Sequence, residues 1–233
     1  MASKNGVQTS IDSIFLAAMD LFRENGYIKT NIRQISERAG VSLGLVNHYF
    51  GSKRDLGYAV LETLIKYVML HTEEYLGDRK DPLLTDATET RAVNLYLMSG
   101  PFRQFYMDTL EEDIFFSYLE HRPDYLVEQL QDVYGYTISH DMALLYSRYI
   151  PYMVEKTLVL KKNEGLFPSI DDEEIPYRIF ISTYAGLVPQ QVLAETDRCA
   201  RALAPQIVKD LLPSPDYQAL VSNGLLPFRK LGI

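Results

Sequence analysis

The segment NIRQISERAGVSLGLVNHYFGSK, residues 31–53, contains the pattern of two short helices joined by a tight turn. Asn31 is a favourable N-cap residue, and Gln34 follows three positions later, as in a capping box. Gly40 is suited to end this first helix, because glycine adopts the left-handed backbone conformation without strain. The segment therefore predicts a helix that starts after Asn31 and stops at a glycine turn.

A second helix is predicted to start after Ser42, a residue type that commonly caps helices. Val46 and Phe50 lie four positions apart and share one face, which we expect to be buried. The opposite face carries Gly44, Asn47 and His48, with Leu43 and Leu45 on its flanks. A helix of this kind, held across a turn from another helix, fits the major groove of DNA.

Together with its flanking sequence, this segment resembles the DNA-binding domain of the TetR family of bacterial transcriptional repressors. The matching residues are Ile14, Ala17, Ala18, Leu21, Phe22, Gly26, Tyr27 and Thr30 upstream, and His48, Tyr49, Phe50, Ser52, Lys53 and Leu56 downstream. The resemblance covers about the first quarter of the chain. It implies that this part of the chain binds double-stranded operator DNA.

Three residues depart from the usual pattern of the family. Leu43 occupies a position where a polar or basic residue is common, Leu45 replaces a small residue, and Asn47 replaces a tyrosine. All three belong to the predicted reading surface. The departures therefore concern the operator sequence and leave the predicted fold unchanged.

The chemistry of the side chains suggests individual roles at the DNA. Lys53 stands at a predicted helix N-terminus, where backbone N–H groups and the helix dipole also favour a phosphate. Asn47 can form a bidentate pair with adenine, and Gly44 permits a close approach of the helix to the duplex. The predicted DNA-contacting residues are Thr30, Arg33, Ser42, Leu43, Gly44, Leu45, Asn47, His48, Tyr49 and Lys53.

Some of these assignments leave alternatives open. Thr30, His48 and Tyr49 can donate to phosphate oxygens, which position a protein without reading the sequence. Arg33 can reach either a phosphate or a guanine edge. The leucines of the reading surface can contact thymine methyl groups, or they can pack against neighbouring helices.

The distribution of charge reconciles an acidic chain with a DNA partner. The formal net charge of the 233 residues is −8. Residues 29–54 carry five basic side chains and one acidic side chain, whereas residues 58–233 carry 16 basic and 26 acidic side chains. Phosphate binding depends on the local basic surface, and the acidic remainder favours solubility.

Composition excludes several classes of protein. Apolar residues make up 47% of the chain and charged residues 23%, as in ordinary globular proteins. No run of about 18 apolar residues is present, so we expect no membrane partner. The first ten residues lack an apolar signal core, and Cys199 is the single cysteine, so we expect a cytoplasmic protein without a disulfide.

The rest of the chain follows helical patterns without convincing alternating runs, so we predict an all-α fold. Helices are predicted at about 53–76, 85–99, 102–119, 123–135, 139–163, 172–195 and 197–212. Pro151 and Pro189 lie inside these patterns and should kink them. We predict a three-helix helix-turn-helix domain at residues 1–57 and a larger helical ligand-binding and dimerisation domain at residues 58–233. Residues 214–233 have no assignment.

The family resemblance implies a pocket for an unidentified small-molecule effector in the second domain. Aromatic residues are candidates for its lining, because tyrosine hydroxyls can supply the few polar contacts of an apolar pocket. The candidate residues are Tyr96, Phe102, Phe105, Tyr106, Phe115, Tyr118, Tyr146 and Tyr149. For most of them the alternative is an ordinary core. The acidic run Glu111, Glu112 and Asp113 favours a solvated turn over a site for a cationic aromatic ligand.

The resemblance also implies a homodimer in which the last long helices of two subunits pair. In this chain those helices correspond to segments 139–163 and 172–212. Small residues that would allow close approach are Ala185, Gly186, Ala194, Ala200 and Ala204.

The sequence contains no Gly-x-Ser-x-Gly motif, no phosphate-binding loop and no dinucleotide fingerprint. The four histidines are scattered, and the pairs His71 with Glu74 and His140 with Asp141 fit polar groups on the surface better than they fit metal ligands. We therefore expect no enzyme activity, no cofactor and no metal. We predict a ligand-responsive repressor that an effector releases from its operator. The alternative is a helical small-molecule-binding protein or enzyme with a vestigial DNA-binding domain.

Overall fold

The computed structural model describes residues 4–78, 81–121, 126–209 and 211. The helices are α1 (Lys4–Asn25), α2 (Ile32–Ala39), α3 (Leu43–Phe50), α4 (Lys53–Leu76), α5 (Pro82–Ser99), α6 (Arg103–Glu111), α7 (Ile114–His121), α8 (Leu126–Gln129), α9 (Gln131–Tyr134), α10 (His140–Leu144), α11 (Ile150–Asn163), α12 (Ile175–Tyr184) and α13 (Gln190–Lys209).

Two short non-α turns complete this architecture. A π-helical turn, Leu145–Tyr149, joins α10 to α11, and a 3₁₀ turn, Asp172–Glu174, precedes α12. No strand forms within the described residues, where one isolated bridge pairs Ala185 with Val188. The predicted all-α fold is therefore confirmed.

The chain divides into two compact units. Residues 4–67 and 97–118 form the first unit, and residues 68–96 together with the described part of 119–211 form the second. α4 and α5 therefore contribute residues to both units. The domain boundary after residue 57 stays a prediction.

The core of the first unit joins the N-terminal helices to α6. Phe22 of α1 and Phe105 of α6 stack with ring centroids 5.1 Å apart and an interplanar angle of 13°. Ile35 of α2 and Val46 of α3 are also buried. Because each buried side chain of this size contributes about 1.5–3 kcal/mol, α6 is an integral part of the unit that carries α2 and α3.

The second unit has its own hydrophobic core. It is built from Leu83, Ala87, Val127, Leu130, Ala143, Phe180, Tyr184, Val188, Leu193 and Ala200. Ala200 and Ala204 are both fully buried inside this single chain. The prediction that these two alanines contact a second subunit is therefore wrong, because their surfaces are already covered within the single chain.

Several helix boundaries differ from the prediction. The helix expected at 102–119 is interrupted at Asp113, whose φ of 56° is left-handed and incompatible with a continuous helix. Pro151 follows the π-helical turn, as expected for a proline whose ring displaces the preceding turn. Pro189 separates α12 from α13 and does not kink one helix. The unassigned segment 214–233 lies outside the described residues.

Candidate DNA-binding site

The start and the end of α2 are fixed by local hydrogen bonds. The Gln34 backbone N–H donates to Oδ1 of Asn31 at 3.0 Å, and the Asn31 N–H donates to Oε1 of Gln34 at 2.8 Å. Gly40 has a φ of 67°, and the next N–H, of Val41, donates to the Ser36 carbonyl at 3.0 Å. The predicted capping box and glycine turn are both confirmed.

α3 buries the face that the sequence predicts. Val46 and Phe50 are 1% and 7% exposed. Ser42 occupies the N-cap position, but its hydroxyl forms no capping hydrogen bond. The Leu45 N–H instead donates to the Ser42 carbonyl at 3.0 Å. The Ser42 residue is exposed at the start of α3.

The opposite face of α3 is open to solvent. Gly44, Asn47 and His48 are exposed, and Leu43 is 47% exposed. A Cβ atom built on Gly44 would meet nothing closer than Oγ of Ser42 at 4.0 Å, so packing within the unit does not require glycine there. This face of α3, defined by residues 43, 44, 47 and 48, is called the reading face below.

Two predicted residues lie at the edge of the reading face. Leu45 and Tyr49 are half-buried, so each divides its surface between the unit and solvent. The rings of His48 and Tyr49 meet edge to face, with centroids 5.0 Å apart. That contact holds the imidazole next to the phenol at the end of α3.

Lys53 is held inside the unit. Its Nζ donates to the carbonyl oxygen of Tyr27 at 3.0 Å and to that of Thr30 at 2.9 Å, and it lies 4.0 Å from the centroid of the Tyr27 ring. Burial lowers the pKa of Lys53, against the opposing effect of Glu112 and Asp108. Lys53 begins α4 as predicted, but two of its three ammonium hydrogens already have carbonyl acceptors.

Thr30 does not lie on the exposed surface. Its side chain is 1% exposed, and its hydroxyl donates to the Gly26 carbonyl at 2.7 Å. A threonine hydroxyl carries one hydrogen, which is used in this bond. The prediction that the Thr30 hydroxyl donates to a phosphate is therefore corrected, because the group closes the turn between α1 and α2.

Two other basic residues near α2 are paired with carboxylates on the surface. Arg33 is highly exposed and forms an ion pair with Glu37 at 3.1 Å, one turn along α2. Arg38 pairs with Glu24 at 2.9 Å. Exposed pairs of this kind contribute little to stability, so both guanidinium groups can exchange a carboxylate for a phosphate.

Lys29 is a candidate that the sequence analysis did not single out. It is exposed, and among the described residues it forms no hydrogen bond and no ion pair. It lies three residues before the first turn of α2, whose N-terminus itself favours an anion. The sequence pattern that could have identified Lys29 as a phosphate contact is a basic residue just before a capping box.

Arg54 links the start of α4 to the junction of α6 and α7. Its guanidinium donates to the carbonyl oxygens of Glu112 at 2.7 Å and Asp113 at 2.9 Å, and to Oγ of Ser117 at 3.1 Å. Side-chain donors at a helix C-terminus satisfy carbonyls that have no partner in the helix. The exposed run at 111–113 is therefore a solvated turn held by Arg54.

Asp108 of α6 contacts the turn between α1 and α2. Its carboxylate is 3% exposed and accepts from the Ile28 N–H at 2.8 Å and from Nε2 of Gln104 at 2.7 Å. Ile28 belongs to the turn that leads into α2. Buried charge-assisted hydrogen bonds are strong and directional, so Asp108 helps to set where α2 begins.

A sequence model described as "Bacterial regulatory proteins, tetR family" matches residues 14–60, which include α2, α3 and the reading face. The chain therefore carries the helix-turn-helix domain of the TetR family at residues 14–60. A larger helical part follows this domain.

Known proteins resemble the chain over different lengths. The HTH-type transcriptional regulator HbdR of Aromatoleum sp. (strain CIB) is 44% identical over 52 residues, which are 22% of this chain and 23% of that protein. The chain thus matches about a quarter of the length of that relative. The HTH-type transcriptional regulator BetI of Serratia proteamaculans (strain 568) is 27% identical over 158 residues, covering 66% of this chain and 74% of BetI.

A solved structure reproduces the fold of this chain. The crystal structure of RolR in complex with resorcinol covers 92% of this chain and 99% of its own, with a TM-score of 0.57 and 17% sequence identity.

Within the described residues, no helix is both long enough and apolar enough to cross a membrane.

The predicted pocket residues are divided between the two units. Phe102, Phe105, Tyr106, Phe115 and Tyr118 are buried in the first unit, where their rings contact one another. Tyr96, Tyr146 and Tyr149 belong to the second unit, in which Tyr96 is buried and Tyr149 is exposed. The five residues of the first unit therefore pack as an ordinary hydrophobic core. The predicted aromatic ligand pocket stays a prediction.

The second unit contains an open apolar groove of about 660 Å³ along the π-helical turn and α11. Leu145, Tyr149 and Met153 line it and are exposed, and Arg178 of α12 also lines it. Tyr149 is the member of the predicted pocket set that lines this groove. A groove of this size accommodates either a small molecule or side chains of another protein surface.

Proposed function

We propose that this TetR-family chain is a repressor that binds operator DNA as a homodimer and leaves the DNA when a small effector binds. The observation that carries the DNA-binding part is the reading face of α3. It is exposed, it holds one glycine and three larger side chains, and it belongs to a helix-turn-helix with both ends capped.

The reading face can recognise sequence through a few direct contacts. Asn47 offers the donor and acceptor pair that matches adenine, and Leu43 offers an apolar contact to a thymine methyl group. Gly44 lies between them and lets the helix backbone approach the bases. Arg33 and Lys29 lie outside this face and supply charge for the phosphates, which position the helix.

The proposed dimer is supported by the surface of the second unit. Leu145, Tyr149 and Met153 follow one another at intervals of four residues and are exposed. They form an apolar stripe that lines the groove, and exposed apolar patches commonly mark protein interfaces. Two subunits would present two copies of α3 to successive major grooves, about 34 Å apart.

The proposed response to an effector follows from the two-unit organisation. A ligand that binds the second unit more tightly in one arrangement of the dimer would shift the population toward it. Release from the operator then requires only that this arrangement fit successive major grooves poorly. RolR, which shares the fold, was solved in complex with the ligand resorcinol.

The test is selection of bound duplexes from a random library by the purified full chain, followed by a salt titration on the selected duplex. We expect an inverted repeat and an affinity that falls steeply with salt. The alternative, a small-molecule-binding protein or enzyme with a vestigial DNA-binding domain, predicts no enrichment. Enrichment of a single unrepeated site would instead contradict the dimer.

A further inference from the structure

α5 carries an unusual number of polar side chains into the second unit. Thr88, Glu89, Arg91 and Asn94 are all at most 7% exposed, although they lie within seven consecutive residues. A buried polar group lowers stability unless it is hydrogen-bonded. Thr88 meets this requirement, because its hydroxyl donates to the Leu84 carbonyl at 2.7 Å within the same helix.

Arg91 meets the requirement only in part. Its Nη1 donates to the Glu173 carbonyl at 2.9 Å, and its Nη2 donates to Oδ1 of Asp197. Its Nε is buried and has no hydrogen-bond partner among the described residues. The guanidinium is therefore fixed in place by two bonds, and of its three nitrogens only Nε lacks an acceptor among the described residues.

Asn94 leaves a second donor without an acceptor. The residue is 4% exposed, and its Nδ2 also has no partner among the described residues. Residues three apart on a helix are neighbours on one face, with Cβ atoms about 5–6 Å from each other. The Nε of Arg91 and the amide of Asn94 therefore belong to the same buried face of α5.

We infer that this face of α5 binds an oxygen atom of a small organic ligand, either a carboxylate or a phenolic hydroxyl. The inference deepens the proposed function, since it names the chemistry of the effector. Asp197 already balances the charge of Arg91, so a neutral oxygen can serve as well as an anion. Both ligand types present the acceptor that Nε and Nδ2 lack.

The experiment measures thermal unfolding of the full chain without DNA, so its outcome does not depend on operator binding. Asn94→Leu removes the unpaired amide and keeps a side chain of similar volume. We expect its Tm to rise by about 2–4 °C, because an unsatisfied buried group is removed. Thr88→Val, on the same helix, is the matched control and should show no such rise, because the Thr88 hydroxyl already has its acceptor.

Phenol and benzoate serve as the two oxygen-bearing probes, and toluene serves as the probe without oxygen. We expect at least one of phenol and benzoate to raise the Tm of the wild type and of Thr88→Val, and to lose most of this effect with Asn94→Leu. A lowered Tm for Asn94→Leu would mean that its amide has a structural partner. That result, or stabilisation by toluene equal to that by both oxygen-bearing probes, would overturn the inference.

Discussion

The ammonium nitrogen of Lys53 lies 2.9 Å from the carbonyl oxygen of Thr30, and this contact ties the start of α4 to the residue before the α2 cap. The same nitrogen donates to the Tyr27 carbonyl at 3.0 Å. α3 lies between these two anchored points in the sequence. Lys53 therefore closes the helix-turn-helix and holds both of its ends together.

Replacing Lys53 with Met should lower the free energy of unfolding by about 1–3 kcal/mol, because two partly buried carbonyls lose their donor. Urea denaturation followed by circular dichroism measures this change. Lys29→Met removes the same charge from an exposed side chain and is the control. Equal stability of the two variants would show that the Lys53 contacts contribute little.

Lys29→Met should instead alter the salt dependence of DNA binding. Loss of one phosphate contact is expected to reduce the slope of log affinity against log salt by about one unit per subunit. Affinity for all duplexes should fall together, with no change in the preferred sequence. A slope identical to that of the wild type would remove Lys29 from the phosphate-binding set.

Gly44→Ala should stabilise the protein and weaken DNA binding. A Cβ at this position meets no atom of the unit closer than 4.0 Å, and alanine is favoured over glycine in a helix by about 0.5–1 kcal/mol. On DNA the added methyl group would hold the helix away from the bases. Gly40→Ala is the contrasting variant, since its φ of 67° makes alanine destabilising. Tighter DNA binding by Gly44→Ala would contradict the proposal that the α3 backbone lies close to the bases at Gly44.

Asn47→Ala should relax the base preference at one position in each half-site. A bidentate contact to adenine discriminates by about 1–3 kcal/mol, whereas non-specific affinity depends on the phosphates. Parallel selections from a random duplex library compare the variant with the wild type. Identical preferred half-sites would mean that Asn47 contacts only a phosphate or a backbone group.

Tyr27→Phe should protect the protein against alkaline unfolding. Burial raises the pKa of Tyr27, with Glu112 and Asp55 acting in the same direction and Arg54 against it. The unfolded phenol therefore loses its proton first, and the wild type loses stability as the pH rises above about 10. Urea titrations of both proteins at about pH 8 and pH 10.5 give their free energies of unfolding. The difference between the two proteins should shift in favour of Tyr27→Phe at the higher pH. If the difference in unfolding free energy between Tyr27→Phe and the wild type is the same at both pH values, ionisation of Tyr27 does not contribute to alkaline unfolding.

The sequence by itself determined the elements whose interactions are local. Asn31 and Gln34 cap α2 through bonds that span three residues, and Gly40 ends that helix through its own φ. Val46 and Phe50 face inward because helical spacing places them together. For such features the physical cause lies within one or two helical turns, so the residue pattern is sufficient.

Only the tertiary structure decided the features whose partners are distant in sequence. Lys53 reaches carbonyls 23 and 26 residues away, and Asp108 accepts from an N–H 80 residues away. Ala200, a small residue that suited a dimer contact, is enclosed by its own unit. A side chain's type states which bonds it can form, but the packing of helices decides which partner comes within 3 Å and which groups remain exposed.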